Sequence, residues 1–197
     1  MSLVIPVLSG PASVESDPMK NDRGAYEALC ASLVGETLTS VAYHQLRGEG
    51  PGWDVPPFHV VTMGVALRFA SGRAVLVEWG TSFAQHDIEL SEGVRQSERI
   101  ESFDVSSDAA WALLIGQEVR AVESIWEREG SLEWPQSILL AFPDACVLAS
   151  AATYRPPGPV WKASDDVLIC FGRQTAEAHG LLATPPGRLA QGRITMR

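Results

Sequence analysis

Three of the four histidines in this 197-residue sequence fall between positions 44 and 86. His44 closes one strand-like segment, His59 precedes another, and His86 stands beside Asp87 ahead of a third. Gathered at one end of a sheet, these imidazoles would suit zinc, copper or nickel. Their spacing matches no ligand pattern such as H-E-x-x-H, and the plainer reading is three unrelated histidines near strand ends. A small metal-binding protein or metal-dependent enzyme is therefore the alternative expectation. Cys30 would need to be a thiolate to act as a nucleophile, and its helical stripe places it in the core, where a thiol stays protonated. Glu78, beside Trp79, reads as an outward-facing strand glutamate.

A second set of residues points to binding. The segments Arg47–Phe58 and Arg155–Lys162 are rich in proline and glycine, which forbid regular structure there, and each carries a tryptophan. Loops bearing large aromatics serve as contact surfaces, so Trp53, Asp54, Phe58, Trp161 and Lys162 are the expected partner-binding residues. The competing reading folds each tryptophan back as a lid on its own half of the core. Glu118, Glu123, Glu127, Glu129 and Glu133 offer an acidic rim, diluted by Arg120 and Arg128. No glycine-rich phosphate loop, G-x-S-x-G elbow or zinc deaminase pattern occurs, so no catalytic residue and no cofactor is assigned.

The elements that must position these residues read as follows. Asp22 caps a helix whose apolar stripe is Ala25, Tyr26, Leu29, Cys30 and Leu33, and Gly35 ends it. Strands are expected over 36–44, 60–69, 74–79 and 87–90, with Ser71-Gly72 turning a hairpin. Residues 92–102 read as a charged connector. A second helix stripe, Ala110, Trp111, Leu114 and Ile115, stops at Gly116. Strands over 117–127, 137–142, 147–154 and 166–171 follow, with a loop bounded by Gly130 and Pro135, a turn at Pro143-Asp144, and a short helix over 175–182. Ile138-Leu-Leu-Ala-Phe142 is apolar on both faces, which predicts a strand covered on both sides. Residues 1–21 read as an N-terminal segment and linker that includes an edge strand at Val4–Leu8, and 183–197 as a mobile basic tail.

The two halves share an order. Ala31-Ser-Leu-Val-Gly-Glu-Thr-Leu-Thr-Ser-Val41 matches Ala112-Leu-Leu-Ile-Gly-Gln-Glu-Val-Arg-Ala-Val122 at Leu33/Leu114, Gly35/Gly116, Leu38/Val119 and Val41/Val122. The expected fold is α+β: two pseudo-repeats of helix-Gly-strand-loop-hairpin-strand, over 22–91 and 104–172, forming a mainly antiparallel sheet with few helices. Together they make a single globular domain over 22–182.

A formal net charge of -9 and a pI near 4.9 exclude nucleic acid as a favoured partner, because counterion release needs basic contacts. Acidity suits solubility or a basic protein partner. No apolar run approaches the roughly 20 residues of a membrane span, and Leu3–Leu8 is too short for a secretory signal, so a cytoplasmic protein is expected. Cys30, Cys146 and Cys170 are widely spaced and odd in number, which argues against a disulfide framework. In size, acidity, α+β pattern and lack of a catalytic motif, the chain resembles bacterial immunity proteins of toxin–antitoxin or contact-dependent systems. The resemblance covers no specific motif, and it implies a non-catalytic, protein-binding role of immunity or regulatory type. A protein partner is expected, with a second copy of the chain as a further candidate.

Overall fold

The computed structural model describes residues 22–84, 86–94 and 97–182. The expected strand at Val4–Leu8, the linker and the basic tail lie outside the described residues. Asp22 accepts the Ala25 N–H on its carboxylate at 3.0 Å and starts α1 (Arg23–Ala31), which buries Tyr26 and Cys30. In chain order the strands are β1 (Leu38–Leu46), β2 (Asp54–Val55), β3 (Phe58–Val61), β4 (Gly64–Phe69), β5 (Ala74–Gly80), β6 (Asp87–Glu92) and β7 (Ile100–Asp104). The single-turn helix α2 (Ala109–Ala112) follows, then β8 (Ala121–Glu129), β9 (Leu132–Ala141), β10 (Cys146–Tyr154), β11 (Val160–Phe171) and α3 (Arg173–Ala178).

The strands form two antiparallel sheets, ordered β6-β5-β4-β1-β7 and β2-β3-β11-β10-β9-β8. Alternate residues of each sheet turn inward. Val41, Tyr43, Val65, Leu67 and Val77 meet Ile138, Leu140, Val147, Ala149 and Ile169 in one core. The strands β9 to β11 also bury their outer residues: Leu139, Leu148, Leu168 and Cys170 pack with Phe58 and with Ala176, Leu181 and Leu182. The double-sided apolar pattern of 138–142 follows from this second layer.

The two glycine junctions are hydrogen-bonded to each other. Gly35 N–H donates to Val119 C=O and Gly116 N–H to Leu38 C=O, at 2.9 and 2.7 Å. Leu38 N–H likewise donates to Gln117 C=O and Val119 N–H to Glu36 C=O. Gly35 and Gly116 hold φ of +88° and +81°, a region glycine enters at little cost, so each reverses the chain from its helical turn into this exchange.

Several sequence expectations need correction. Residues 60–69 are not one strand: the chain breaks at Thr62-Met63, and β3 and β4 belong to different sheets. Apolar residues continue across the break because both pieces reach the core, so periodicity does not mark it. Residues 47–58 contain regular structure after all, since Pro56-Pro57 turns β2 back onto β3, pairing Asp54 with His59 and Val55 with Phe58. The connector 92–102 ends in β7, which pairs with β1. Its charges suit a sheet edge, where they discourage further pairing. Only a tight turn separates β8 from β9, and Pro135 lies within β9 beside the bulge at Ile125/Trp126, where a missing N–H is tolerated. The loop expected over 155–162 ends at Pro159, so Trp161 and Lys162 stand on β11. The strand expected from Gln117 begins at Ala121, and the last helix spans 173–178, not 175–182.

Candidate functional site

A buried chain of hydrogen bonds leads from the core toward the first proline-glycine loop. Trp111 Nε1 can only donate, and it lies 2.6 Å from Tyr43 Oη. Tyr43 Oη therefore accepts from Trp111, and it also lies in hydrogen-bond contact with His59 Nδ1 at 2.8 Å. His59 Nε2 stands 4.0 Å from the Asp54 carboxylate. Burial pushes the imidazole below its ordinary value, and Asp108 and Asp54 only partly oppose this. This network orients residues and offers no activated nucleophile.

A pH dependence follows. The unfolded chain takes up a proton near pH 6.5, whereas folded His59 resists it until lower pH. Below about pH 6.5 the unfolded state binds more protons, so stability falls as pH drops toward the lowered folded value and levels off beneath it. Urea unfolding between pH 7.5 and 5 checks this. Wild type is expected to lose more stability over that range (about pH 5 to 7.5) than His59→Gln, which cannot titrate.

The two proline-glycine loops border one cleft of about 300 Å³. Glu49, Gly50 and Gly52 supply one wall, and Thr153, Tyr154, Arg155 and Asp166 the other. Gln45, at the end of β1, and Thr62, at the break between β3 and β4, also line it. Asp166 owes its place to a bulge: Lys162 pairs with Ala152 and Val167 with Ala151, so 163–166 loop out of the ladder. Ala163 sits there at φ +54°, a left-handed conformation uncommon for a residue with a Cβ. Burial raises the pKa of the Asp166 carboxyl above its ordinary value. A Thr153 hydrogen bond and Arg155 oppose the rise, while Asp165 and Glu49 reinforce it.

The polar groups at Gln45 have fixed directions. Leu46 N–H donates to Thr62 Oγ1 at 3.0 Å, and the Thr62 hydroxyl donates to Gln45 Oε1 at 2.8 Å. Thr62 N–H, which can only donate, reaches the same Oε1 at 2.9 Å. The Gln45 amide is therefore unambiguous, with its Nε2 donors turned away from Thr62.

The residues expected to bind a partner are dispersed. Trp53 packs its ring 5.4 Å from Tyr43 and 5.3 Å from Phe103, half-buried as a lid over the core. Asp54 is exposed. Phe58 is fully buried between Tyr154 and His179, a core position that offers no contact surface. Trp161 is 62% exposed and pairs with Thr153, a cleft residue. Lys162 forms an ion pair with Glu127 at 2.5 Å.

Of the histidines, His44 is buried on β1, His59 belongs to the Tyr43 network, and His86 stands at φ +61° with its ring 5.7 Å from Trp79. Among the described residues, no group of three or more His, Cys, Asp or Glu side chains is placed to hold a metal ion. Glu78 is not outward in the exposed sense, since it is 8% exposed. Cys30 and Cys170 are buried, with both thiols pushed up to about 12 by desolvation, which removes them as nucleophiles. Sequence reasoning missed Gln45, Thr62, Thr153 and Asp166. Only the Asp165-Asp166 pair, standing directly before the apolar run 167–171, offered a local signal. No helix among the described residues is long and apolar enough to cross a membrane. No protein-family model matches the chain, and no significant match was found among curated proteins or solved structures.

Proposed function

We propose that the chain is a non-catalytic protein-binding domain of immunity or regulatory type. Its contact face comprises Trp161 and the adjoining cleft. The observation that carries this reading is Trp161 itself. A tryptophan held 62% exposed on a hydrogen-bonded strand, directly opposite a cleft residue, presents a large rigid side chain beside a concavity. Such aromatics dominate the energy of protein interfaces. Trp53 is excluded as an equal contributor because its ring is engaged by Tyr43 and Phe103.

In this reading residues 22–182 act as one unit of two similar halves. Support comes from the strand orders β6-β5-β4-β1 and β11-β10-β9-β8, each a run of four antiparallel strands that follows a helix and a glycine. The four reciprocal bonds between the Gly35 and Gly116 junctions add to it.

A photo-crosslinking amino acid placed at position 161, with exposed Arg68 as the control position, tests the contact face in native host cells. One discrete protein adduct from position 161 and none from position 68 is the expected result. Equal labelling from both positions, or none from either, would overturn the proposal.

A further inference from the structure

We propose that the chain's own apolar run Leu3-Val-Ile-Pro-Val-Leu8 docks into a second cleft, of about 330 Å³, that opens between the two sheets beside the start of α1. This cleft shares no lining residue with the one described above, and the inference is independent of the partner-binding reading. Ala84 and His86, in the connection from β5 to β6, form one wall. Glu129, Leu132 and Trp134 of the β8–β9 hairpin form the other, together with Ala163 of β11.

The walls are largely apolar and held in place. Leu132 is 48% exposed, and the polar end of Trp134 is satisfied by Gln136 Oε1 at 3.2 Å, which leaves the ring to make apolar contacts. Covering such surface with another apolar segment removes it from water. Glu89 Oε1 accepts the Thr81 and Ser82 N–H groups at 2.8 Å each, and Asp87 Oδ2 accepts those of Phe83 and Ala84 at 2.5 and 2.9 Å. His86 and Ala163, the two non-glycine residues with positive φ among the described residues, stand on opposite walls. Backbone of this kind persists where its surroundings over-determine it, and it clusters at binding sites.

The occupant follows from where the described chain starts. Arg23 opens α1, lies 4.5 Å from the Trp126 ring centroid and reaches Glu133, which stands between the lining residues Leu132 and Trp134. Tyr26 packs its ring 5.9 Å from Phe83, next to Ala84. The first turn of α1 therefore adjoins both walls. Residues 9–21 separate Leu8 from Asp22 and can span up to roughly 45 Å, more than enough to return the run to the cleft. The run carries no charge. Residues 183–197, in contrast, carry Arg188, Arg193 and Arg197 and follow Leu182, which packs outside the second sheet. That basic segment matches the apolar walls poorly.

The test places a benzophenone amino acid at position 5 of the full chain, and in a second protein at position 7, and maps the photo-adducts by mass spectrometry. Adducts to Leu132, Trp134, Ala84 or His86 are expected. A mixture of nitrogen-15-labelled and unlabelled protein is expected to give adducts of a single isotope, because the contact is within one chain. Leu132→Glu is expected to lower the adduct yield by about tenfold, as the loss of one buried leucine implies. Val4→Asp with Leu8→Asp changes no residue of 22–182 and is expected to give the same loss, so the test stays decisive should Leu132→Glu disturb the hairpin. Adducts confined to other surfaces, adducts that join the two isotopes, or none from either position would overturn the proposal. So would a yield that the Val4→Asp, Leu8→Asp pair leaves unchanged.

Discussion

Trp111→Ala is expected to lower unfolding stability by about 3–5 kcal/mol, the range for deleting a large buried aromatic. Trp111 is 1% exposed, and its ring lies 5.2 Å from Phe171 and 6.3 Å from Tyr43. It anchors a helix of only four residues, which has too few internal bonds to persist by itself. Its loss also removes the donor to Tyr43 Oη, which is itself hydrogen-bonded with His59. Trp111→Phe separates the two contributions. It refills most of the volume and leaves Tyr43 Oη without its donor, at a cost of about 1–3 kcal/mol. Urea unfolding followed by circular dichroism checks both variants. A loss under about 1 kcal/mol for Trp111→Ala would mean that the site collapses around the deletion.

Gly64→Ala is expected to be comparably severe, for a backbone reason. Gly64 opens β4 at φ +154°, and a Cβ there would lie 2.7 Å from Val77 C=O and 2.9 Å from the Glu78 Cβ. Both obstacles belong to the neighbouring strand and cannot rotate aside. Conformational strain and overpacking together predict a loss of about 2–6 kcal/mol. Gly50→Ala is the control, because its φ is also positive at +67° but nothing lies within 4 Å of the new Cβ. Thermal unfolding of the two variants side by side should show a large fall for position 64 and a small one for position 50. Equal falls would assign the effect to backbone angle alone.

The parts of the fold legible in the sequence are those set by local chemistry. Asp22 caps α1, and the hairpins β4–β5 and β9–β10 follow from alternation around short turns. The break at Thr62-Met63 was not legible, because both flanking strands need apolar residues. Nor was β7, whose edge position makes its charges resemble those of a linker. The cleft was half legible. Its loops declare themselves by proline and glycine, but Gln45 and Thr62 satisfy each other across 17 residues of chain, which no local pattern encodes. Asp166 is brought to the cleft by a bulge whose register depends on β10. Phe58, placed by its loop-like neighbours among the surface residues, instead packs beneath α3 because strand pairing with Cys170 turns it outward from the first core into the second.

The joining of the two glycine junctions bears on how the chain can be divided. Gly35 and Leu38 draw their acceptors from beyond residue 116, while β3 completes the edge of β11. A cut near residue 93 would therefore strand unpaired N–H and C=O groups on both products, one row at the junction and another along β11. Exposed rows of that kind seek any available strand. Each fragment would be adhesive toward the other and toward copies of itself, so the intact covalent chain is what keeps these edges matched to their own partners.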